Sequence, residues 1–370
     1  VKKRRSAGSK VLSVVVAVAV AGVLATATGH HFDVFGVRVT LPTAHAAPAA
    51  ASARPATTST PAAASNVGGA GEYQLMQEPH AGFQPIYALL TGAKTSIDMT
   101  MYELEDQTAT ADLVAAQHRG VRVRVLLDKD FSGARANAAA YQTLTAAGVA
   151  VQWAPAGFIF HQKTITVDGA VSAVGTANLT AQYYATTRDA WVIDRNPSQV
   201  AAIEQTFTAD LADPDRPGTA TQTPGLLWSP GAEQTMVAAI DDAKTSIDFE
   251  SEELADRDVI TALEQAARRG VTCNIVMTRS SDWTTAFNAV TAAGCHVRTY
   301  PDSDSALYIH EKALLTDRSN LIIGSQNAGD YSLTRNRELS LILTSSDAPA
   351  VVNSTAATFA KDYAAATAWQ

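Results

Sequence analysis

The chain has 370 residues, with 28 Lys or Arg against 36 Asp or Glu, a formal net charge of −8. That length can bury one large core or two small ones. The negative balance excludes a protein that holds a polyanion through its overall field; only a local basic cleft could override it.

The N-terminus reads as a targeting segment. Lys2, Lys3, Arg4, Arg5 and Lys10 precede an uncharged apolar run from Val11 to Ala27. Small residues follow, and Ala44-His45-Ala46 offers a cleavage site before Ala47, with an earlier cut after Ala27 as the alternative. Residues 1–46 are therefore expected to be a signal peptide on the general secretory route, and the chain to be secreted. The apolar run is at the short edge of what spans a bilayer, so a retained anchor is the lesser reading. Without residues 1–46 the chain has 28 − 6 = 22 basic and 36 − 1 = 35 acidic residues, a net −13.

Residues 47–71, rich in Ala, Pro, Ser, Thr and Gly, read as a linker. From residue 72 strands and helices alternate. Helical periodicity covers Ala81–Leu90, Ala109–Arg119 (stopped by Gly120) and Arg135–Ala147 (stopped by Gly148). Strand patterns cover Ser96–Tyr102, Val121–Leu127, Val149–Trp153, Val171–Val174 and the neighbourhood of Trp191–Ile193, before a helix from Ser198. The order then repeats. Ala93-Lys-Thr-Ser-Ile-Asp98 recurs as Ala243-Lys-Thr-Ser-Ile-Asp248, and Arg119-Gly120-Val121 as Arg269-Gly270-Val271, both at an offset of 150. A tandem duplication follows: half 1 over 72–212, a Pro/Gly-rich junction over 213–224, and half 2 over 225–370, closing with a helix near Ala350–Ala366. Alternation of this kind implies an α/β sandwich in each half. Cys273 and Cys295, the only cysteines, start strands expected to be neighbours. Export permits a bridge between them; two buried thiols are the alternative.

One pattern occurs twice: His161-x-Lys163 to Asp168, then Gly175-Thr176-x-Asn178; and His310-x-Lys312 to Asp317, then Gly324-Ser325-x-Asn327. An acid follows each histidine at the same spacing, Asp189 and Glu338 (189 − 161 = 338 − 310 = 28). Residues two apart on an extended strand share a face, so each His lies beside its Lys. Asp168 has the opposite parity and starts an Asp-Gly hairpin signal, which makes it a turn and support residue. Asp317-Arg-Ser-Asn320 is its looser counterpart. These side chains suit a phosphodiester. Lysine and amide donors stabilise charge on the phosphoryl oxygens, one histidine attacks phosphorus and another protonates the leaving oxygen. Neither a metal nor a cofactor is implied, since no third or fourth ligand stands at metal-like spacing.

With both copies in hand, the stretch from Glu72 to the C-terminus resembles the phospholipase D superfamily, whose HxKxxxxD signature appears twice with its trailing G-[S/T]-x-N element. The resemblance implies two duplicated α-β-α halves packed around one shared active site. It implies His161 as nucleophile and His310 as acid and then base. Lys163, Lys312, Asn178 and Asn327 would bind the phosphoryl oxygens, with Thr176 and Ser325 as supporting hydroxyls. Glu338 would orient a motif histidine, and Asp189 would do so with a side chain one methylene shorter. The activity implied is that of a secreted, monomeric phospholipase D working on phospholipid at a membrane or micelle surface, by hydrolysis or transfer. A secreted endonuclease of the same superfamily is the alternative. Its basic cleft would draw on Arg122, Arg124, Lys129, Arg135, Arg188, Arg335 and Arg337. Glu103, Glu250, Glu252 and Glu253 read as solvated strand ends. Trp153, Phe158, Phe160, Tyr183, Tyr184, Tyr308 and Tyr331 could line a pocket or fill the core.

Overall fold

The computed structural model describes residues 32–34, 37–39, 71–131, 133–213 and 215–370. Phe32–Val34 and Val37–Val39 form an antiparallel pair by themselves. The rest of the expected signal peptide and the linker up to residue 70 lie outside the described residues. Among the described residues, no helix is long and apolar enough to cross a membrane.

From residue 71 onward, two sheets repeat one strand order. The first runs Ala150–Trp153, Arg122–Leu127, Ser96–Met101, Thr164–Val167, Val171–Gly175, Thr187–Asp194, with Tyr73–Glu78 antiparallel on the last strand. The second runs His296–Tyr300, Thr272–Thr278, Ser246–Glu250, Ala313–Thr316, Asn320–Gly324, Glu338–Thr344, Leu226–Ser229, with Thr367–Ala368 added beyond His296–Tyr300. In each, helical crossovers make the inner strands parallel and hairpins make the motif strands antiparallel. The fold is therefore the expected mixed α/β duplication.

Each half has its own core of strand and helix side chains, such as Ile97, Leu113 and Trp191 in the first and Ile247, Leu263 and Phe287 in the second. A third cluster belongs to both: Val174, Val192 and Ile203 pack with Leu321, Leu339 and Val352. This shared core fixes the motif ends of the two sheets against each other. Cys273 and Cys295, both buried, are joined by a disulfide.

Several elements differ from the sequence reading. The helix expected over Ala81–Leu90 is Gln84–Gly92, and the one over Ala109–Arg119 is Gln107–His118. Asp106 sets the start of the latter by accepting from the backbone N–H of Thr108 and Ala109. The helix expected over Arg135–Ala147 is two pieces, Gly133–Ala136 and Ala138–Ala146, parted at Asn137. There the amide donates to the carbonyls of Tyr102 (2.8 Å) and Asp128 (2.9 Å) and accepts from Leu104 N–H (2.7 Å), tying down the loop beside the cleft.

Candidate active site

The two halves exchange backbone at their motifs. The regular strands begin only at Thr164 and Ala313, after the His-x-Lys stretches. Those stretches instead bond across the molecule. Gln162 N–H donates to Arg337 O (3.0 Å) and Arg337 N–H to Ile159 O (2.9 Å); Tyr308 N–H donates to Thr186 O (2.9 Å) and His310 N–H to Arg188 O (3.1 Å). Each histidine is thus delivered beside the acid of the opposite half. His161 Nδ1 lies 2.9 Å from Glu338 Oε2, and His310 Nδ1 lies 2.8 Å from Asp189 Oδ1. The shorter Asp189 side chain reaches its histidine as closely as the longer Glu338 does.

Each carboxylate is itself held, by different means. Asp189 accepts from Thr176 Oγ1 at 2.5 Å. Glu338 accepts from Ser332 Oγ (2.7 Å) and Asn336 Nδ2 (3.0 Å). Ser325, expected to match Thr176, bonds instead with the backbone of Leu339. Burial alone would raise the Glu338 carboxyl; His161, Lys163 and the Ser332 hydroxyl hold it below its ordinary value. Burial, and then the Lys163 ammonium, depress His161 below its ordinary value against the pull of Glu338. With Nδ1–H donating to Glu338, a neutral His161 carries its lone pair on Nε2, and the ring lines the cleft.

The lysines curl back over their own strands. Lys163 Nζ donates to His161 O (2.6 Å), and Lys312 Nζ to His310 O (2.5 Å). Lys163 is fully buried, and burial followed by repulsion from Lys312 brings its ammonium down to about 7. Asn178 Nδ2 donates to Glu103 (3.4 Å), and Asn327 Nδ2 to Glu252 (3.4 Å).

Glu252 corrects the sequence reading. It is no solvated strand end: its side chain is 25% exposed, and Oε2 lies 3.0 Å from Lys312 Nζ and 3.3 Å from His310 Nε2. Tyr308 donates to its other oxygen at 3.2 Å. Burial works to raise the Glu252 carboxyl, but His310 and Lys312 hold it below its ordinary value. Glu250 is likewise buried, at 2% exposure. Comparing the duplicated strands residue by residue could have flagged Glu252, because its equivalent at the 150-residue offset is Tyr102.

The turn aspartates stand away from this chemistry. Asp168 and Asp317, both at positive φ, accept from the three backbone N–H groups of Lys94–Ser96 and Lys244–Ser246 respectively. Gly175 permits close packing: a Cβ there would sit 2.6 Å from the Trp191 ring.

A cleft of about 510 Å³ lies between the halves. His161, Asn178, Asp189, Glu252, His310 and Asn327 line it. Glu78, Glu103, Glu253, Asp302 and Asp304 add further carboxylates, and among the described residues no Lys or Arg is part of the lining. Tyr183, Tyr184 and Tyr308 line it as well, joined by Phe83, Tyr102 and Phe131, which the sequence did not single out. Phe131 is 90% exposed on the rim. Phe160 is core, Trp153 stacks on Tyr141, and Phe158 and Tyr331 are exposed outside the cleft. Of the residues a basic cleft would draw on, Arg188 is buried against Asp362, Arg337 against Asp210, and Arg124 pairs with Asp98. Among the described residues, three carboxylates close enough to share a cation occur at Glu233, Asp256 and Asp330, outside the cleft.

A duplicated α/β sandwich with one histidine from each half in a shared cleft is the class of protein defined here. The family described as "Cardiolipin synthase, PLD-like domain" matches the chain twice, at residues 86–211 and 236–363, and the chain belongs to that family. Over 131 residues it is 30% identical to the mitochondrial cardiolipin hydrolase of Xenopus tropicalis, 35% of this chain and 61% of that protein. Over 121 residues it is 33% identical to a phospholipase D of Rickettsia bellii, 33% of this chain and 53% of that protein. The chain thus spans less than two thirds of these curated relatives. Among solved structures, the phosphatidylserine synthase of Haemophilus influenzae aligns with a TM-score of 0.61 at 11% identity, over 80% of this chain and 87% of that one, a likeness of fold.

Proposed function

We propose that this protein is a phosphodiesterase that cleaves a phospholipid on the headgroup side, leaving phosphatidic acid and releasing the alcohol. The observation that carries this reading is two histidines in one cleft, each Nδ1 anchored by a carboxylate of the other half. His161 Nε2 attacks phosphorus, and the P–O bond to the headgroup breaks. The leaving oxygen takes a proton from His310. Water then attacks the phosphohistidine, His310 accepts its proton, and the N–P bond breaks with its electron pair returning to His161. The Asn178 and Asn327 amides, which line the cleft, stabilise the charge on the phosphoryl oxygens, with Lys163 and Lys312 adding positive charge from outside the lining. An incoming phosphate anion favours the charged form of Lys163, which burial and Lys312 bring down to about 7.

The lining favours a lipid over a nucleic acid. Carboxylates together with aromatic rings suit a headgroup that carries an ammonium, and repel a polyanion. Exposed Phe131 on the rim suits contact with a membrane or micelle surface. An exported monomer is the form we propose.

The test is headgroup release from phosphatidylcholine and phosphatidylethanolamine vesicles, beside nicking of plasmid DNA, with chelator present. Amine release that survives chelator is expected, with each of His161→Ala and His310→Ala reducing turnover at least ~10³-fold in folded protein. DNA cleavage without amine release would transfer the reading to a nuclease. Full activity in either histidine variant would rule out the two-histidine mechanism.

A further inference from the structure

The two halves are copies, yet the surroundings of their histidines are not. At the 150-residue offset Tyr102 corresponds to Glu252, each just after its sheet strand. In half 1 the Tyr102 ring meets His161 edge-on, with centroids 4.8 Å apart, and lies 5.0 Å from Lys163 Nζ. In half 2 the same place holds a carboxylate, 3.3 Å from His310 Nε2 and 3.0 Å from Lys312 Nζ. Glu338 thus meets His161 at Nδ1, while His310 meets a carboxylate at each ring nitrogen, Asp189 and Glu252.

We infer that Glu252 is the positioning residue that breaks the symmetry of the site, holding the Nε2 proton on His310 and so making His310 the acid and His161 the nucleophile. This rests on the phosphodiesterase reading above. Burial and Lys163 already depress His161, which leaves it neutral with an available Nε2 lone pair. A proton on His310 Nε2 instead points at an anion, and donation to Glu252 keeps it in the cleft until substrate arrives. The leaving oxygen then replaces Glu252 Oε2 as the acceptor, and the proton passes to it as the P–O bond breaks. Tyr308, donating to Oε1 at 3.2 Å, braces the carboxylate, and Asn327 and Lys312 hold it from the other side. Glu253, next in the chain, lines the same cleft but stands at the place of Glu103, so both halves carry a glutamate at that position.

The experiment compares leaving groups. Glu252→Gln keeps the shape and removes the charge. A p-nitrophenyl phosphodiester expels a stable anion and needs little protonation, whereas an alkyl headgroup needs a proton in the transition state. Glu252→Gln is expected to slow alkyl-headgroup release by ~10²-fold and p-nitrophenol release by less than ~5-fold. A merely structural role would slow both alike, and that result would overturn the inference while leaving the phosphodiesterase reading standing. Quenching the wild type during turnover with denaturant at alkaline pH, where the N–P bond survives, followed by peptide mapping, gives a second measurement. Phosphate on the His161 peptide supports the assignment, and phosphate on the His310 peptide overturns it. A wild type that cleaves neither substrate would sink the phosphodiesterase reading, and the assignment with it.

Discussion

At the scale of single residues, the site sets a pH window. Attack needs a neutral His161, and burial with Lys163 holds that ring below its ordinary value. Charge stabilisation needs Lys163 protonated, and burial with Lys312 brings it down to about 7. Activity should therefore rise on the acid side below the ordinary imidazole value of ~6.5 and fall on the alkaline side near 7 in kcat/KM, which reports the free enzyme. In kcat the alkaline limb should move up, because bound phosphate restores the charge on Lys163. Initial rates from pH 5 to 9 at low and saturating substrate measure both limbs. An alkaline limb at the same pH in both would mean that the lysine does not meet the phosphate.

At the scale of elements, the hairpin aspartates are supports. Asp168 gathers three backbone N–H groups and the Thr95 hydroxyl, and these hold its carboxyl below its ordinary value although burial opposes them. Asp317 repeats the arrangement and is lowered to about 2. Asp168→Ala should lower stability in denaturant unfolding by about 2–3 kcal/mol. Turnover per folded molecule should change less than ~3-fold, since no atom of Asp168 lines the cleft. The folded-state carboxyl is depressed, so the contribution is complete above the unfolded value of ~3.9 and is lost as pH falls through the folded value. Asp317, followed by Arg318, was legible in the sequence through the duplication, and the Asp168 turn because Asp-Gly chemistry is local. The alternation of strands and helices was legible for the same reason. The break at Asn137 was not, because its cause is three backbone groups brought near by the fold. Glu252 was hidden differently: a carboxylate after a strand reads as solvated until Lys312 and His310, about 60 residues on, are seen to close around it.

At the scale of the whole molecule, the pairing of halves rests on two dipeptides that the sequence left in separate roles. In Arg188-Asp189 and Arg337-Glu338 the acid crosses to the opposite histidine. The arginine beside it crosses to the opposite half's last helix, Arg188 to Asp362 and Arg337 to Asp210. Such pairs join residues 174 and 127 positions apart, beyond what any periodicity encodes. The two differ in their surroundings. Buried Glu250 and Glu311 also lie close enough to feel Arg188, whereas the buried carboxyl near Arg337 is Asp210. Burial pushes Glu311 up to about 7 even with Arg188 working against it. Its folded value is raised, so what it contributes to stability is complete below the unfolded value of ~4.3 and is lost as pH rises through about 7. Arg188→Met removes the cation and leaves Asp362, Glu250 and Glu311 facing one another. The cost should be about 3–5 kcal/mol at pH 8, as for breaking a buried ion pair from one side. At pH 5.5 it should shrink, because the stranded acids then take up protons in the folded state. Urea unfolding of Arg188→Met and Arg337→Met at both pH values measures this, with the stronger pH dependence expected for Arg188. Equal pH dependence in the two variants would mean that Glu250 and Glu311 draw no support from Arg188.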